Sequence, residues 1–417
     1  MMPETEKAAP AASRRSRLGR AAFLAAFAAL LAAPPLAHLL VGPVAQEDNR
    51  AMAQAPERPR DWAQAVAWPR RVDAYLQDNF GFRREMVRAN TVFWWSTLGE
   101  STSPSIVPGR NGRIFHSFND TSKREYRELL MQCGALSTPE WLDAAAASLG
   151  AALDRLAARL PDAALMLVPT SMTVYPEDYP AWMSAACAGR RPPPLELLDR
   201  LDQAQRARIV YPVAQATAQR GDETLIPPHN FHWDGLGASV LIRHVAEEAY
   251  GLPRRVTMPF KEGEFASDLA GMIPGLGLSN RVLRPEVWAT GVSPCIGAAC
   301  FKEFHDPGGR YWSMVWRLRR EGGDPASRLL VLADSFGPGA GQAFIEHFDD
   351  VVILNINDFG QMTPEELRAL WTQLFQDWRP ARTQFVFCDC NVTSIETFVD
   401  ALPVIEDAPA QGSRPAL

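Results

Sequence analysis

The sequence predicts an α/β fold in which a mostly parallel central sheet is covered by helices on both faces, preceded by an N-terminal transmembrane helix. Three observations lead there: short runs that are apolar throughout, helical patterns that alternate with them, and one long uncharged stretch behind an arginine cluster. A strand with one wet face alternates apolar and polar residues, whereas a parallel strand buried on both faces does not. Leu329-Leu330-Val331-Leu332 and Val351 to Ile356 are of the second kind. Parallel neighbours need a crossover, normally a helix, and helical patterns lie between the runs. The chain has 417 residues, 47% of them apolar, enough for one large domain or for one domain with insertions.

Residues 1–20 form a basic segment carrying Arg14, Arg15, Arg17 and Arg20, and 21–41 bears no formal charge when His38 is neutral. As a helix, that run crosses the roughly 30 Å of hydrocarbon in a bilayer. Arginines before it and Glu47-Asp48 after it favour a signal anchor with the N-terminus cytoplasmic and the rest exported, which the resemblance set out below would make a bacterial inner-membrane anchor with a periplasmic domain. The alternative, a cleaved signal peptide, finds no clean small-x-small site between Leu39 and Ala45. Pro34-Pro35 is expected to kink or interrupt the helix.

Residues 42–70 read as a polar, proline-punctuated tether to a domain over 71–406. A helical pattern runs from Val72 to Leu98, bent at Gly81, and its aromatic residues are expected to pack on the core. Gly109-Arg110-Asn111-Gly112 is a tight turn entering a strand at Ile114-Phe115. Helix-like patterns then cover Ala144 to Leu160, Leu195 to Arg206, Leu236 to Tyr250 and Pro364 to Leu374. Strand-like runs cover Ala164 to Val168, Ile209 to Tyr211, Leu329 to Leu332, Val351 to Ile356 and Gln384 to Phe387. Residues 256–326, weak in periodicity and rich in glycine, read as an insertion or an irregular wall beside the site. Residues 407–417 read as a disordered tail.

Net charge is −6 with a pI near 5.7, and no basic stripe or nucleic-acid motif is present, which argues against nucleic-acid binding. Six cysteines in an exported chain suit disulfides. Cys295 with Cys300 would close a small loop, Cys133 with Cys187 is a second possible pair, and Cys388 and Cys390 share a face if a strand continues through them. No spacing resembles a zinc site, and no metal is expected.

Ala333-Asp334-Ser335-Phe336-Gly337 closes a buried run, so Ser335 falls where a strand breaks into a turn, at the carboxyl edge where open α/β sheets bind ligands. Asn230-Phe231-His232-Trp233 supplies an imidazole before the turn into the helix at Leu236. Together they suggest acyl transfer, with Ser335 as nucleophile and His232 as base. His229, His244, His305 and His347 are weaker candidates for the base. Asp334 reads as a turn anchor rather than a proton relay.

In order and spacing these segments resemble the periplasmic, SGNH-hydrolase-like polysaccharide O-acetyltransferases of the alginate acetylation type, the AlgJ/AlgX family. The resemblance runs from about Glu47 to Cys390. It rests on Glu47-Asp48-Asn49-Arg50, Asp78 to Arg83, Gly109 to Gly112, Val168-Pro169, Val174 to Pro180, Asn230 to Trp233, Asp268-Leu269 and Asp334 to Gly337. It implies a three-layer α/β/α sandwich and an acetyl-Ser335 intermediate. The acetyl group would come from a membrane-bound O-acyltransferase and pass to a polysaccharide, with no diffusible cofactor. The family pattern is Asp-x-His-Trp, so the orienting acid corresponds to Asn230, which brings no charge to the imidazolium. In serine proteases the Asp-to-Asn change lowers kcat by about 10⁴. Two alternatives follow: an acetylesterase using the same residues, and a catalytically silent polysaccharide-binding or scaffold protein, for which the twelve tryptophans offer sugar-stacking surfaces.

Overall fold

The structure, a computed structural model, describes residues 14–41, 52–117, 125–220, 225–296, 315–357, 359, 362–400 and 402. His305, Cys300 and the tail 407–417 lie outside the described residues. The chain forms two compact units, one of Met1–Thr102 with Gly271–Gly277 and one of Ser103–Ala270 with Leu278–Leu417.

In the first unit, the helix Arg14–Val41 contains a 23-residue stretch, Leu18–Leu40, long and apolar enough to cross a membrane, as an anchor or a signal sequence would. It continues through Pro34 and Pro35 rather than being interrupted. A proline removes a donor but leaves its carbonyl, and the Pro34 carbonyl accepts from the Gly81 N–H at 3.2 Å. A Cβ on residue 81 would sit 2.4 Å from that oxygen, so the bend there requires glycine. The helix Trp62–Asn79 begins inside the segment read as a tether, because Asp61 caps it by accepting from the Gln64 N–H at 2.7 Å. Arg83–Phe93 follows and continues as one π-helical turn, Trp94–Leu98.

The second unit opens with β1 (Ile106–Pro108) and β2 (Ile114–His116), an antiparallel hairpin. Asn111 and Gly112 turn it with φ of 54° and 76°, the pair of positive angles that hairpin turns favour. Then come β3 (Ala164–Val168), β4 (Ile209–Val210), β5 (Phe260–Ala266), β6 (Ser279–Pro285), β7 (Val292–Ile296), β8 (Val315–Arg320), β9 (Arg328–Ala333), β10 (Asp350–Asn355) and β11 (Arg382–Cys388). The central sheet has seven strands in the order β4-β3-β11-β9-β10-β8-β7. Its first five are parallel, and β8 and β7 close the far edge antiparallel.

Residues alternate between two buried faces. Leu330, Leu332, Val352, Leu354, Phe385 and Phe387 share a core with the helices Pro139–Arg159 and Pro364–Trp371. Ala333 and Ile353 face the opposite layer, where the helix Gly337–Phe344 lies so close that a Cβ on Gly341 would meet Ile353 at 2.0 Å. Three layers result, as the resemblance implies.

Three expectations are corrected. The helix placed over Leu195 to Arg206 is two, Pro193–Leu198 and Gln203–Arg206, because Asp202 starts the second with a capping box. The region 256–326 is not only irregular: it holds the β5-β6 ribbon and β7 and β8 of the central sheet. Cys388 and Cys390 are disulfide-bonded although β11 ends at Cys388, so Cys390 reaches back from the following turn. Cys133 and Cys187 are also joined, and Cys295 is disulfide-bonded.

Candidate active site

β9 delivers the chain to a sharp strand-turn-helix corner, with Ser335 exposed between β9 and the helix Gly337–Phe344. Asp334 holds the corner. Its carboxylate is fully buried and accepts from the N–H of Phe336 at 2.9 Å, the N–H of Cys388 at 2.8 Å and Nδ2 of Asn391 at 2.9 Å. Burial pushes its pKa up against those three donors. With its bonds spent on the turn and on the end of β11 and the residues after it, and none to His232 among the described residues, Asp334 is an anchor rather than a member of the Ser335–His232 pair.

His232 arrives from the loop before the helix Gly235–His244. Its Nε2 lies 2.8 Å from Ser335 Oγ and its Nδ1 2.7 Å from Asp268 Oδ2. An ionised carboxylate only accepts, so Nδ1 carries the hydrogen and Nε2 is free to accept from the serine hydroxyl. Asp268 also accepts from the backbone N–H groups of His232 at 2.9 Å and Phe231 at 3.0 Å. Burial would raise its pKa, but the hydrogen bonds from the His232 ring and these two N–H groups outweigh it and hold the carboxyl below its usual range. Trp233 buries its indole and donates from Nε1 to the Phe336 carbonyl at 2.9 Å, tying the histidine segment to the serine corner. Phe336 packs on the imidazole with ring centroids 4.8 Å apart.

Asn230 does not occupy the place of the orienting acid. Its Oδ1 accepts from the Asp268 N–H at 3.3 Å and from Asn280 Nδ2 at 2.8 Å, and it makes no hydrogen bond to His232 among the described residues. The turn closed by Asn230 N–H on the Pro227 carbonyl aims the side chain toward β6 rather than under the ring. Asn230 thus braces the loop that presents Asp268, the residue sequence reasoning missed as an acid. Its one signal was the Asp268-Leu269 segment within the resemblance. Asp234 and His229 are engaged elsewhere, with Arg284 and with the Ser279 carbonyl. His244 lies beside Glu248, and His347 contacts the Pro253 carbonyl.

His116 stands behind Phe231, rings 5.1 Å apart, and burial pushes its pKa down to about 4. Beyond β11, the neighbour of β9 at about 4.8 Å, Asn391 lines a cavity of about 440 Å³ with Thr173, Trp141, Arg127 and Asp389. No metal-binding cluster of His, Cys, Asp and Glu exists among the described residues.

No family model and no curated protein matches the chain. Solved structures do. The O-acetyltransferase domain of Pseudomonas putida AlgJ is 15% identical over 69% of this chain and 92% of its own, with a TM-score of 0.36. Pseudomonas aeruginosa AlgX is 15% identical over 70% and 67%, with a TM-score of 0.37. A DHHW family protein from Eubacterium siraeum is 15% identical over 63% and 89%, with a TM-score of 0.43. Structures similar to this chain thus include the two proteins for which the family resembled by the sequence is named.

Proposed function

We propose that this chain is a serine O-acyltransferase that places acetyl groups on a secreted or cell-surface polysaccharide. The observation that carries the reading is the single imidazole bridging Ser335 and Asp268, a nucleophile, a base and an orienting charge in hydrogen-bonded sequence. His232 Nε2 takes the Ser335 proton as Oγ attacks the acetyl carbonyl. The resulting imidazolium, stabilised by Asp268, returns the proton to the departing group, leaving acetyl-Ser335. A sugar hydroxyl then gives its proton to His232, attacks the ester carbonyl and leaves acetylated while Ser335 recovers its proton. The Ser335 N–H donates to no acceptor among the described residues and points to one donor for the oxyanion.

The polysaccharide acceptor is supported by the sequence resemblance and by the cavity one strand away, whose mixture of indole, amide and charged groups suits sugar hydroxyls and rings. A membrane-bound O-acyltransferase supplies the acetyl group, and the helix Arg14–Val41, as a signal anchor, holds the domain on the periplasmic face of the inner membrane. Asp268 removes the motive for the silent-scaffold reading, which rested on Asn230. The test is mass spectrometry of the protein after exposure to an activated acetyl ester. A single acetyl adduct on Ser335, absent in Ser335→Ala and passed to an oligosaccharide on its addition, is expected. No adduct on folded protein would overturn the reading, and free acetate as sole product at every acceptor concentration would replace it with an esterase.

A further inference from the structure

A second cavity, of about 740 Å³, opens at the amino ends of the parallel strands. Ser335 lies beyond the other end of β9, whose six residues at roughly 3.3 Å each put about 20 Å between the two places. Leu252, Pro253, Phe348 and Ala163 give the cavity apolar walls, and Arg382, the first residue of β11, projects from its floor.

Arg382 is anomalous. Its guanidinium carbon lies 4.2 Å from the centre of the Tyr250 ring. The side chain is half-buried, its Nε is buried without a hydrogen-bond partner, and it makes no ion pair among the described residues. Three more deeply sequestered guanidinium groups are matched to carboxylates: Arg113 to Asp178 at 2.8 Å, Arg317 to Asp350 at 2.8 Å and Arg243 to Glu346 at 2.5 Å. Burial lowers the Arg382 pKa, as expected of a cation short of a counter-charge. Arg208 and Arg255 line the same cavity; Arg208 spends one nitrogen on the Pro161 carbonyl and Arg255 is paired with Asp349. Asp162, an exposed carboxylate on the wall, attracts Arg382 through space, too weakly to offset its burial, and forms no ion pair with it. A desolvated cation over an aromatic ring, beside a second arginine and apolar walls, is complementary to an anion that brings its own hydrophobic body.

We propose that this cavity binds a small organic anion, its carboxylate or phosphate head on Arg382 and Arg208 and its apolar part along Leu252, Pro253 and Phe348. The site is separate from the serine and takes no part in acyl transfer. Calorimetric titration of the full chain in detergent with benzoate, phenyl phosphate and neutral benzyl alcohol tests it. Saturable binding of at least one anion at one site per chain is expected, with no binding of benzyl alcohol. Arg382→Gln should weaken anion binding by about tenfold or more, and Arg208→Gln, at the rim, by about threefold. If neither anion saturates, if benzyl alcohol binds as well, or if Arg382→Gln leaves anion affinity unchanged, the proposal is wrong. Should Arg382→Gln not fold, unchanged anion affinity in Arg208→Gln overturns it equally.

Discussion

Asp268 is the one carboxylate hydrogen-bonded to the His232 ring among the described residues, so the charge that balances an imidazolium depends on it. Asp268→Asn is expected to lower ester turnover by about 10² to 10⁴ in kcat with little change in KM, read from steady-state kinetics. Asn230→Asp should bring no gain, since the orienting place is filled. A second carboxylate nearby favours the imidazolium, so the acid limb of the kcat/KM profile should move to higher pH. Ser335 and His232 were legible because each is announced by its immediate neighbours, a strand end and a loop before a helix. Asp268 was not, because its bond to the ring spans 36 residues and starts in a stretch without period. His116 contributes on another axis. Its folded pKa of about 4 lies below the usual 6.5, so the unfolded chain binds more protons between those values. That stability is complete above about pH 6.5 and is lost as pH falls toward 4, up to about 3 kcal/mol. Melting temperatures from pH 7 to 4 should fall less steeply in His116→Gln than in the parent.

Among the elements, the parallel strands were readable because they are apolar on both faces, and β8 was not. Its sequence, Val315-Trp316-Arg317-Leu318-Arg319-Arg320, looks like a wet edge. Yet Arg317 is buried and forked onto Asp350 of β10, with Nε and Nη2 both at 2.8 Å, and Trp378 Nε1 donates to the same carboxylate at 3.2 Å. A charge pattern reports exposure only when the partner is solvent, and here the partner is a residue 33 positions on. Arg317→Leu leaves the buried Asp350 carboxylate with only the Trp378 indole and Arg328 at 3.8 Å, and is expected to cost about 3 kcal/mol in denaturant unfolding. The double change Arg317→Leu with Asp350→Asn should recover much of that loss, because the buried charge is gone from both sides.

For the molecule as a whole, the order of the sheet matters more than any one contact: β11, last in sequence, lies between β3 and β9 in the middle of it. A chain ending before Arg382 is expected to lack a cooperative thermal transition and to be digested rapidly by protease, whereas a chain ending after Asp400 keeps both the transition and its resistance. Reducing the Cys133–Cys187 bond, whose cysteines are 54 residues apart in sequence, should lower stability by about 4 kcal/mol without removing the serine site. The position of β11 also bears on the serine corner. The Asp334 carboxylate that shapes the nucleophile corner takes two of its three donors from Cys388 and Asn391. A chain that stops before β11 contains Ser335, His232 and Asp268 but lacks two of the three donors that hold the serine's corner. If Ser335 is the nucleophile proposed above, a chain without its last strand is expected to be chemically silent, and the hydroxyl becomes reactive only once β11 has joined the sheet.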